Sequence, residues 1–192
     1  MLQKSLEISS KIMYNTMSKN NGGNFMRIVS PFELPDNFFK ALSDEWMLVT
    51  AVDKSGKVNT MTASWGGFGY MWARPVGLCV IRPQRFTNEF AKESEIITLS
   101  FLEDGNRDAL KLCGSVSGRD RDKISEAGLS VIKEDGYAYF EQSRLTIVGR
   151  KIYVDRFKEE CFLEKSIIEE KYPKRDYHDV YVLEIEKVIV KD

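Results

Sequence analysis

The amino-acid sequence predicts a mainly β protein: an antiparallel barrel, closed or nearly closed, with short helices at its periphery. Apolar, β-branched runs of strand length recur along the chain, and turn-forming residues separate them. A doubly wound parallel sheet would need a helix in every crossover, and the segments between these runs do not provide one. With 192 residues, 43% of them hydrophobic, the chain suffices for one domain with a substantial core.

The clearest local signal is a β-hairpin. Residues 46–52 form a continuous apolar run, residues 53–57 form a turn, and residues 58–64 return as the second strand. Further strands are predicted at residues 76–81, 96–102, 137–140, 145–157 and 181–190. Short helices are predicted at residues 38–43, after the capping residue Asn37, and at residues 87–93, 105–111, 120–127 and 164–171. Gly66, Gly67 and Gly69 are expected to interrupt regular structure, and residues 114–118 are expected to form a loop.

The N-terminal segment differs from the rest of the chain. Residues 1–25 are predicted to be a flexible extension, because residues 18–24 are polar and rich in turn formers. Residues 26–192 form the single predicted domain. The start of the chain lacks the apolar core of a signal peptide, and no run reaches the ~18 apolar residues of a membrane span. We therefore expect a cytoplasmic protein that does not use a membrane as a partner.

Composition argues against several function classes. Lys and Arg number 28 against 29 Asp and Glu, giving a net charge of −1, so a general nucleic-acid binder is not expected. The three cysteines are odd in number and form no Cys-x-x-Cys pair, which argues against a disulfide framework or a zinc site. A single histidine, His178, excludes a multi-histidine metal site within one chain. No metal is predicted.

Residues 59–65 form the first candidate binding segment. Thr60, Thr62 and Ser64 alternate along a predicted strand, so their hydroxyls share one face. Burying such a face is costly unless the hydroxyls find partners. A heteroaromatic ring with carbonyls and ring nitrogens would provide them, and Ala63 is small enough to let a ring approach the backbone. The alternative is an exposed, threonine-rich strand face.

Residues 82–87 form the second candidate segment. A phosphate monoester carries almost two negative charges, and a guanidinium matches its oxygens with a planar fork of donors. Arg82 and Arg85 flank a proline, and Thr87 adds a hydroxyl at the start of a predicted helix, whose N-terminus favours anions. This pattern predicts a phosphate site. The alternative is that both arginines are surface residues paired with Glu89 or Glu93.

Five motifs in order carry a resemblance to a known family. They are residues 59–67 (NTMTASWGG), 82–90 (RPQRFTNEF), 98–101 (TLSF), 113–120 (CGSVSGRD) with Asp122 and Lys123, and 177–181 (YHDVY). Between Trp46 and Ile189 the chain closely resembles the flavin reductase-like FMN-binding family, which includes flavoredoxins. Each motif is weak alone, whereas all five in the family's order are specific.

The resemblance implies a split-barrel fold, a homodimer and FMN held at or near the dimer interface. The cofactor-binding residues that it implies are Asn59, Met61, Thr62, Ala63, Ser64, Trp65, Arg82, Gln84, Arg85, Phe86, Thr87, Ser100, Phe101 and Lys123. Residues 62–64 would line the ring and ribityl chain, and Arg82, Arg85 and Thr87 would hold the phosphate. Ser100 and Phe101 would lie on the strand beneath the flavin, Lys123 would add charge near the phosphate, and His178 would approach the ring edge as the one candidate catalytic residue.

Three functions are compatible with such a flavoprotein. The first is an NAD(P)H-dependent flavin reductase, in which NADH or NADPH is the electron donor. The second is a flavoredoxin-like carrier for electron transfer between protein partners, and the third is an FMN-binding protein without turnover. Residues 66–69 lack the spacing and the following helix of a nicotinamide dinucleotide fingerprint. Cys113 is either redox active beside the flavin or a small buried hydrophobic residue.

Overall fold

The computed structural model describes residues 18–19 and 25–192. The extension predicted at residues 1–25 therefore lies outside the described residues, apart from Ser18–Lys19 and Phe25, whose backbone forms part of a strand pair.

Eleven strands dominate the described chain. They are β1 (Ser18–Lys19), β2 (Phe25–Val29), β3 (Met47–Val52), β4 (Val58–Ala63), β5 (Gly66–Met71), β6 (Arg74–Ile81), β7 (Ile96–Leu102), β8 (Val131–Glu134), β9 (Tyr137–Phe140), β10 (Ser143–Arg156) and β11 (Asp179–Lys191). The α-helices are α1 (Phe38–Lys40), α2 (Phe86–Glu93), α3 (Arg107–Ser115), α4 (Lys123–Glu126) and α5 (Ser166–Lys171). Single turns of 3₁₀-helix lie at Pro31–Glu33 and Glu159–Cys161, and α1 continues into a π-helical turn at Ala41–Glu45.

Nine strands form one antiparallel sheet, in the order β1-β2-β11-β10-β7-β3-β4, with the β5–β6 hairpin attached through β6 to β11. Strand β11 pairs with β10 along one edge. Along its other edge it pairs first with β6, from Asp179 to Glu184, and then with β2, from Val188 to Lys191. Among the described residues no ladder joins β4 to β6, so the barrel is split there. This mainly β split barrel confirms the predicted fold class.

The core fills the inside of this sheet. Residues at alternate positions of β3, β7, β10 and β11 are fully buried, as Val49, Leu99, Ile147 and Leu183 illustrate. A second, smaller cluster packs helix α3 and strand β9 against the outer side of the sheet. Because both faces of the central strands are covered, their ends are held in fixed positions and can support a site.

Most predicted elements are confirmed within a few residues, including the hairpin of β3 and β4 and the Asn37 cap of α1. The expectation that Gly66, Gly67 and Gly69 interrupt regular structure was wrong, because they belong to strand β5. There Gly66 pairs with Cys79, and a Cβ on Gly66 would lie 2.3 Å from the Leu78 oxygen. Close approach to β6 therefore explains this glycine.

Helix α3 is longer than predicted. It extends to Ser115, so the expected loop at residues 114–118 begins two residues later. Gly114 lies within this helix and packs against Thr62: a Cβ added at residue 114 would lie 3.3 Å from the Thr62 Cβ. Strands β2 and β8 were not predicted. Within the described chain, no helix is long and apolar enough to cross a membrane, and no cluster of metal-binding side chains is found.

Candidate functional site

The gap between β4 and β6 opens into two adjoining pockets. The first, here the tryptophan pocket, has a volume of about 180 Å³ and is lined by Met61, Thr62, Ala63, Ser64, Trp65, Val80, Arg82, Arg85 and His178. The second, here the arginine pocket, measures about 430 Å³ and is lined by Met61, Arg82, Gln84, Arg85, Phe86, Thr87, Ser115, Val116, Ser117, Arg119, Asp120 and Lys123. Met61, Arg82 and Arg85 line both pockets, which together form the cleft.

Strand pairing brings distant parts of the chain to this cleft. Asp179 of β11 pairs with Ile81 of β6, so the preceding His178 and the following Arg82 meet at the same edge. Strand β5 pairs with β6 and carries Trp65 to the same place, where its ring lies 5.1 Å from the His178 ring. The register of the sheet thus unites three of the sequence motifs.

Two cations in the arginine pocket have no carboxylate partner among the described residues. Arg85 donates to the Gly114 oxygen at 2.6 Å. The Lys123 side chain, only 4% exposed as a residue, donates to the Cys113 and Val116 oxygens, both at 3.1 Å. Burial lowers the pKa of Lys123, and nearby Arg85 lowers it further, against the opposing influence of Cys113. Neutral carbonyls do not balance these charges, so an anion fits here.

The N-terminus of helix α2 opens into the same pocket. Its capping residue, Arg85, lies in extended backbone, and within the described chain no side chain caps this end of the helix. Phe86 and Thr87, in its first turn, line the pocket. The first amide groups of a helix lack intrahelical acceptors and favour anions. This end of the helix adds to the attraction exerted by Arg85 and Lys123.

Arg82 is bound differently from Arg85. Its guanidinium pairs with Asp176, donates to the Lys171 oxygen at 2.8 Å, and lies 5.2 Å from the centre of the Tyr172 ring. Gln84 also donates to Asp176, at 2.6 Å. Burial raises the pKa of Asp176, but the hydrogen bonds from Gln84 and Arg82 outweigh it and hold the pKa below its usual range. Arg82 therefore reaches the cleft with its charge already balanced.

His178 is held neutral at the other end of the cleft. It is 8% exposed, and burial together with the charge of Arg82 lowers its pKa to about 4. Its Nδ1 lies 2.9 Å from the Tyr172 hydroxyl, and the two rings meet edge to face. If Tyr172 donates this hydrogen bond, the proton of the neutral imidazole is on Nε2. A neutral imidazole beside Trp65 suits an uncharged, planar ligand.

Of the three hydroxyls predicted to share one face, those of Thr60 and Thr62 are already hydrogen-bonded to other groups of the protein, and the third belongs to Ser64. Thr60 is buried and bonds to Thr50 at 2.8 Å, and Thr62 donates to the Leu110 oxygen at 2.5 Å. These two hydroxyls tie β4 to β3 and to helix α3, so groups of the protein itself already offset the cost of burying them. Ala63 and Ser64 remain partly exposed at the cleft.

Other predicted residues support the cleft from behind. Asn59 donates to the Thr87 hydroxyl at 2.9 Å, and both side chains are buried. Gly118 packs so closely on Asn59 that a Cβ would lie 2.3 Å from the amide oxygen. Asn59 therefore holds β4, α2 and the loop after α3 together, although the Thr87 residue still lines the arginine pocket.

Ser100 and Phe101 are not brought to the cleft. Both are fully buried in β7, where Ser100 bonds to the Thr146 hydroxyl at 3.0 Å and Phe101 belongs to the core. Neither lines the tryptophan or the arginine pocket. Cys113 is also fully buried, and burial raises its pKa, against a smaller opposing influence from Lys123. It behaves as a small hydrophobic residue.

Sequence reasoning missed Tyr172 and Asp176, which bind His178 and Arg82. Asp176 directly precedes the motif at residues 177–181, and that proximity was a usable signal. Tyr172 ends helix α5, and no motif marked it. The arginine pocket also includes Ser117 and Arg119 from the loop after α3. Arg119 pairs with Glu89, so its charge is balanced as that of Arg82 is.

The flavin reductase-like domain model matches residues 39–192. No curated protein matches. Among solved structures, flavoredoxin of Desulfovibrio vulgaris (Miyazaki F) is 20% identical with a TM-score of 0.59, over 76% of this chain and 68% of its own.

Two further structures have the same fold. An FMN-binding domain of a flavin reductase-like enzyme from Shewanella baltica OS155 is 15% identical with a TM-score of 0.62, over 87% of this chain and 78% of its own. An FMN-binding protein from Thermus thermophilus with bound 1-cyclohex-2-enone is 22% identical with a TM-score of 0.58, over 84% of this chain and 77% of its own. These likenesses show the fold, whereas the family model spans most of the chain: the chain belongs to the flavin reductase-like domain family.

Proposed function

We propose that this protein is an FMN-binding oxidoreductase of the flavin reductase type, with NADH or NADPH as the electron donor. The observation that carries the proposal is the polarity of the cleft. One end holds Arg85 and Lys123, two cations without a carboxylate partner among the described residues, and the other end holds Trp65 and a neutral His178. FMN has the matching polarity, with a dianionic phosphate at one end and a planar, uncharged ring at the other.

In this proposal the phosphate binds in the arginine pocket. Arg85 and Lys123 would supply charged donors, and the amides at the start of α2 would supply neutral ones. Arg82 would act less directly, since its pairing with Asp176 fixes the wall shared by the two pockets. The resemblance assigned Arg82, Arg85 and Thr87 to the phosphate, with Lys123 adding charge nearby; in this proposal Arg85 and Lys123 make the principal contacts.

The flavin ring would bind in the tryptophan pocket. Ala63 and Ser64 at the end of β4 would allow the ring to approach the backbone, and Trp65 would cover it at the mouth of the cleft. When bound, FMN supplies the hydride and single-electron chemistry. The chain's own residues orient the reactants and exclude water, and His178 presents a neutral hydrogen-bonding group whose orientation Tyr172 fixes.

A homodimer forms part of the proposal. Tyr70, Met71 and Trp72 at the β5–β6 turn are exposed, as are Tyr153 and Val154 on β10, and the Trp72 and Tyr153 rings lie 6.3 Å apart. Trp72 has a φ of 50°, which is rare for a bulky residue. A strained tryptophan within an exposed apolar patch is typical of an interface, and we assign this surface to a second copy of the chain.

One observation favours the alternative of an electron carrier between protein partners. Trp65 is 43% exposed at the mouth of the cleft, so the proposed ring site lies close to the surface that a redox partner would contact. Flavoredoxins from Desulfovibrio vulgaris and Methanosarcina acetivorans are among the proteins with this fold.

Anaerobic mixing distinguishes these functions. The FMN-loaded protein is mixed with NADH or NADPH, and the flavin absorbance is followed. Bleaching within seconds supports the reductase, whereas bleaching only with a reduced protein donor supports the carrier. A stable yellow protein that neither donor bleaches would indicate an FMN-binding protein without turnover. A purified protein that is colourless and does not bind added FMN would overturn the cofactor assignment itself.

A further inference from the structure

A small pocket on the face of the sheet opposite to the main core takes no part in the function proposed above. It measures about 280 Å³, lies between strands β2 and β11 and the β8–β9 hairpin, and is here called the tyrosine pocket. Its lining residues are Met26, Arg27, Ile28, Glu134, Tyr139, Lys187 and Ile189. None of them lines the tryptophan pocket or the arginine pocket. Asp179 begins β11 beside the cleft and Lys187 follows eight positions later, a distance on the order of 25 Å along a strand. The tyrosine pocket is therefore a separate site.

The floor of the tyrosine pocket is apolar because the β8–β9 hairpin packs on the sheet at this place. Tyr137 and Tyr139 of β9 form a cluster with Met26 of β2, Val148 of β10 and Ile189 of β11, separate from the main core. The two tyrosine rings are stacked, with their centroids 6.3 Å apart. Met26 and Ile189 are each 5% exposed, so the floor consists of side chains that are held in place by their neighbours.

The Tyr139 hydroxyl is the polar group that this floor presents. The residue is only 4% exposed, yet its hydroxyl makes no hydrogen bond among the described residues. The Tyr137 hydroxyl beside it is bonded to both Glu134 and Lys187. A buried phenol normally has a hydrogen-bond partner, and the pocket that Tyr139 lines is where such a partner would reach it. Burial, together with the nearby Glu134 and Tyr137, raises the pKa of Tyr139 to about 12, so its hydroxyl keeps the proton and is able to donate.

The charged groups around the tyrosine pocket are already paired. The Lys187 ammonium donates to the Tyr137 hydroxyl at 2.6 Å and lies 3.8 Å from the Glu134 carboxylate. Arg27 donates to the Asp192 carboxylate at 2.6 Å. A charged ligand would have to break one of these pairs or remain without a counter-ion on an apolar surface, and both are costly. The lining therefore favours an uncharged ligand.

We propose that the tyrosine pocket binds a small, uncharged, mainly apolar molecule whose carbonyl oxygen accepts a hydrogen bond from the Tyr139 hydroxyl. Its apolar part would lie on Met26, Ile28 and Ile189. An apolar lining with very few polar groups to fix orientation is typical of small-molecule sites. The volume lies just below the range of about 300–1,000 Å³ that is usual for drug-sized ligands, and it limits the molecule to about one ring with a short substituent. The inference does not depend on the proposed function, because this pocket and the cleft have no lining residue in common.

The test is a titration of the full-length protein with acetophenone, an uncharged aromatic ketone of one ring, followed by the backbone amide shifts in NMR spectra. Toluene, which lacks the carbonyl, and benzoate, which carries a charge, are the comparison probes. We expect acetophenone to saturate the protein with a dissociation constant below about 1 mM. The largest shifts are expected at residues 26–28, 134–139 and 187–189, and toluene and benzoate should both bind more weakly.

Two variants assign the contacts. Tyr139→Phe keeps the ring and removes the hydroxyl, so it should weaken acetophenone about two- to tenfold, as loss of one neutral hydrogen bond predicts, and change toluene by less than about twofold. Ile28→Trp, at a partly exposed residue of the lining, fills the pocket and should abolish binding of both probes. Tyr70→Phe is the matched control, because Tyr70 is 62% exposed and lies outside the pocket, and it should leave both constants unchanged.

Several results would overturn the inference. One is a titration in which acetophenone does not saturate the wild type, and another is a set of shifts confined to residues 61–65 and 178 at the cleft. Equal affinity of the wild type and Tyr139→Phe for acetophenone would remove the hydrogen bond on which the inference is built. FMN titration of the same variants checks that they fold and should give unchanged constants. Loss of FMN binding by the wild type itself would contradict the proposed function and leave the tyrosine pocket untouched.

Discussion

At the scale of single residues, the two arginines of one short motif differ in their charge balance. Arg82 pairs with Asp176, whereas the only side-chain hydrogen bond that Arg85 makes among the described residues is to a backbone oxygen. The sequence motif alone does not show which of the two arginines is paired with a carboxylate and which is free to bind an anion. The difference arises because β6 ends beside the chain segment that contains Asp176, while Arg85 turns towards helix α3. A local motif therefore predicted which residues matter but not how each is used.

Arg85→Ala should weaken FMN binding strongly and riboflavin binding little, because riboflavin lacks the phosphate. The loss of one charge-assisted contact corresponds to ~1.5–3 kcal/mol, or roughly 10- to 150-fold in the dissociation constant. Lys123→Met, which keeps the apolar stem, should act in the same direction. Titration of both flavins measures the effect, and Arg27→Ala, on β2 and outside both pockets of the cleft, is the control. Equal losses for FMN and riboflavin would contradict the phosphate assignment.

Lowering the pH should destabilise the protein through His178. Its pKa is 6.5 when unperturbed and about 4 in the fold, so between these values the unfolded chain binds the extra proton. The stability contributed by the neutral imidazole is complete above the pKa that His178 has in the unfolded chain. It is lost as the pH falls towards the pKa that His178 has in the folded protein. From about pH 7 to about pH 5 the loss is about 2 kcal/mol.

Urea unfolding of the wild type and of His178→Gln at both pH values isolates this contribution, because the carboxylates that also titrate are common to the two proteins. The variant should show the shallower dependence on pH. Parallel pH profiles for the two proteins would show that His178 is not held neutral by the fold.

At the scale of elements, the β5–β6 hairpin shows what sequence patterns miss. Residues 66–71 contain three glycines, and glycine is depleted in strands, so the sequence predicted an interruption. The strand forms because β6 pairs with it along its whole length. By contrast, β3 and β7 are recognisable from their own apolar and β-branched residues, and the bounds of both strands were predicted to within one residue. Strand β5 therefore forms because it pairs with β6, and not because its residues favour the β conformation.

Gly66→Ala should destabilise this hairpin. The added Cβ would lie 2.3 Å from the Leu78 backbone oxygen, which cannot move aside without distorting β6. Overpacking of this kind costs roughly 1–3 kcal/mol. Gly67→Ala is the matched control, because nothing lies within 4 Å of the Cβ that it adds. Urea unfolding of both variants measures the difference, and equal unfolding midpoints would contradict the close approach of the two strands.

At the scale of the whole molecule, the cleft exists because the sheet does not close. Strand β4 pairs only with β3 among the described strands, and the tryptophan pocket lies between its end and the end of β6. The sequence predicted an antiparallel barrel, and its resemblance to a family predicted that the barrel is split. Neither the sequence motifs nor their spacing predicted that the Tyr172 ring would pack against the Arg82 guanidinium, since the two residues are 90 positions apart in the chain. Such contacts depend on the register of β11 with β6, which no local pattern encodes.

The exposed patch at the β5–β6 turn leads to a prediction about assembly. Trp72 and Ala73 both have positive φ values, 50° and 58°, in a tight turn where Asn and Gly are favoured. Trp72→Asp should therefore fit the turn backbone at least as well as the native residue, while removing most of the apolar surface at its tip. We expect the wild type to be a dimer by light scattering and Trp72→Asp to shift it towards the monomer.

The matched control for Trp72→Asp is Leu163→Asp, because Leu163 is 98% exposed and lies outside the patch. It adds the same charge at an equally accessible apolar residue, so it should leave the dimer unchanged. Loss of the dimer in both variants would indicate a general effect of charge, and a monomeric wild type would refute the assignment of this surface to a second copy. Because Trp72 lies beyond the cleft, an intact FMN affinity in the monomeric variant would further show that one chain holds the phosphate end by itself.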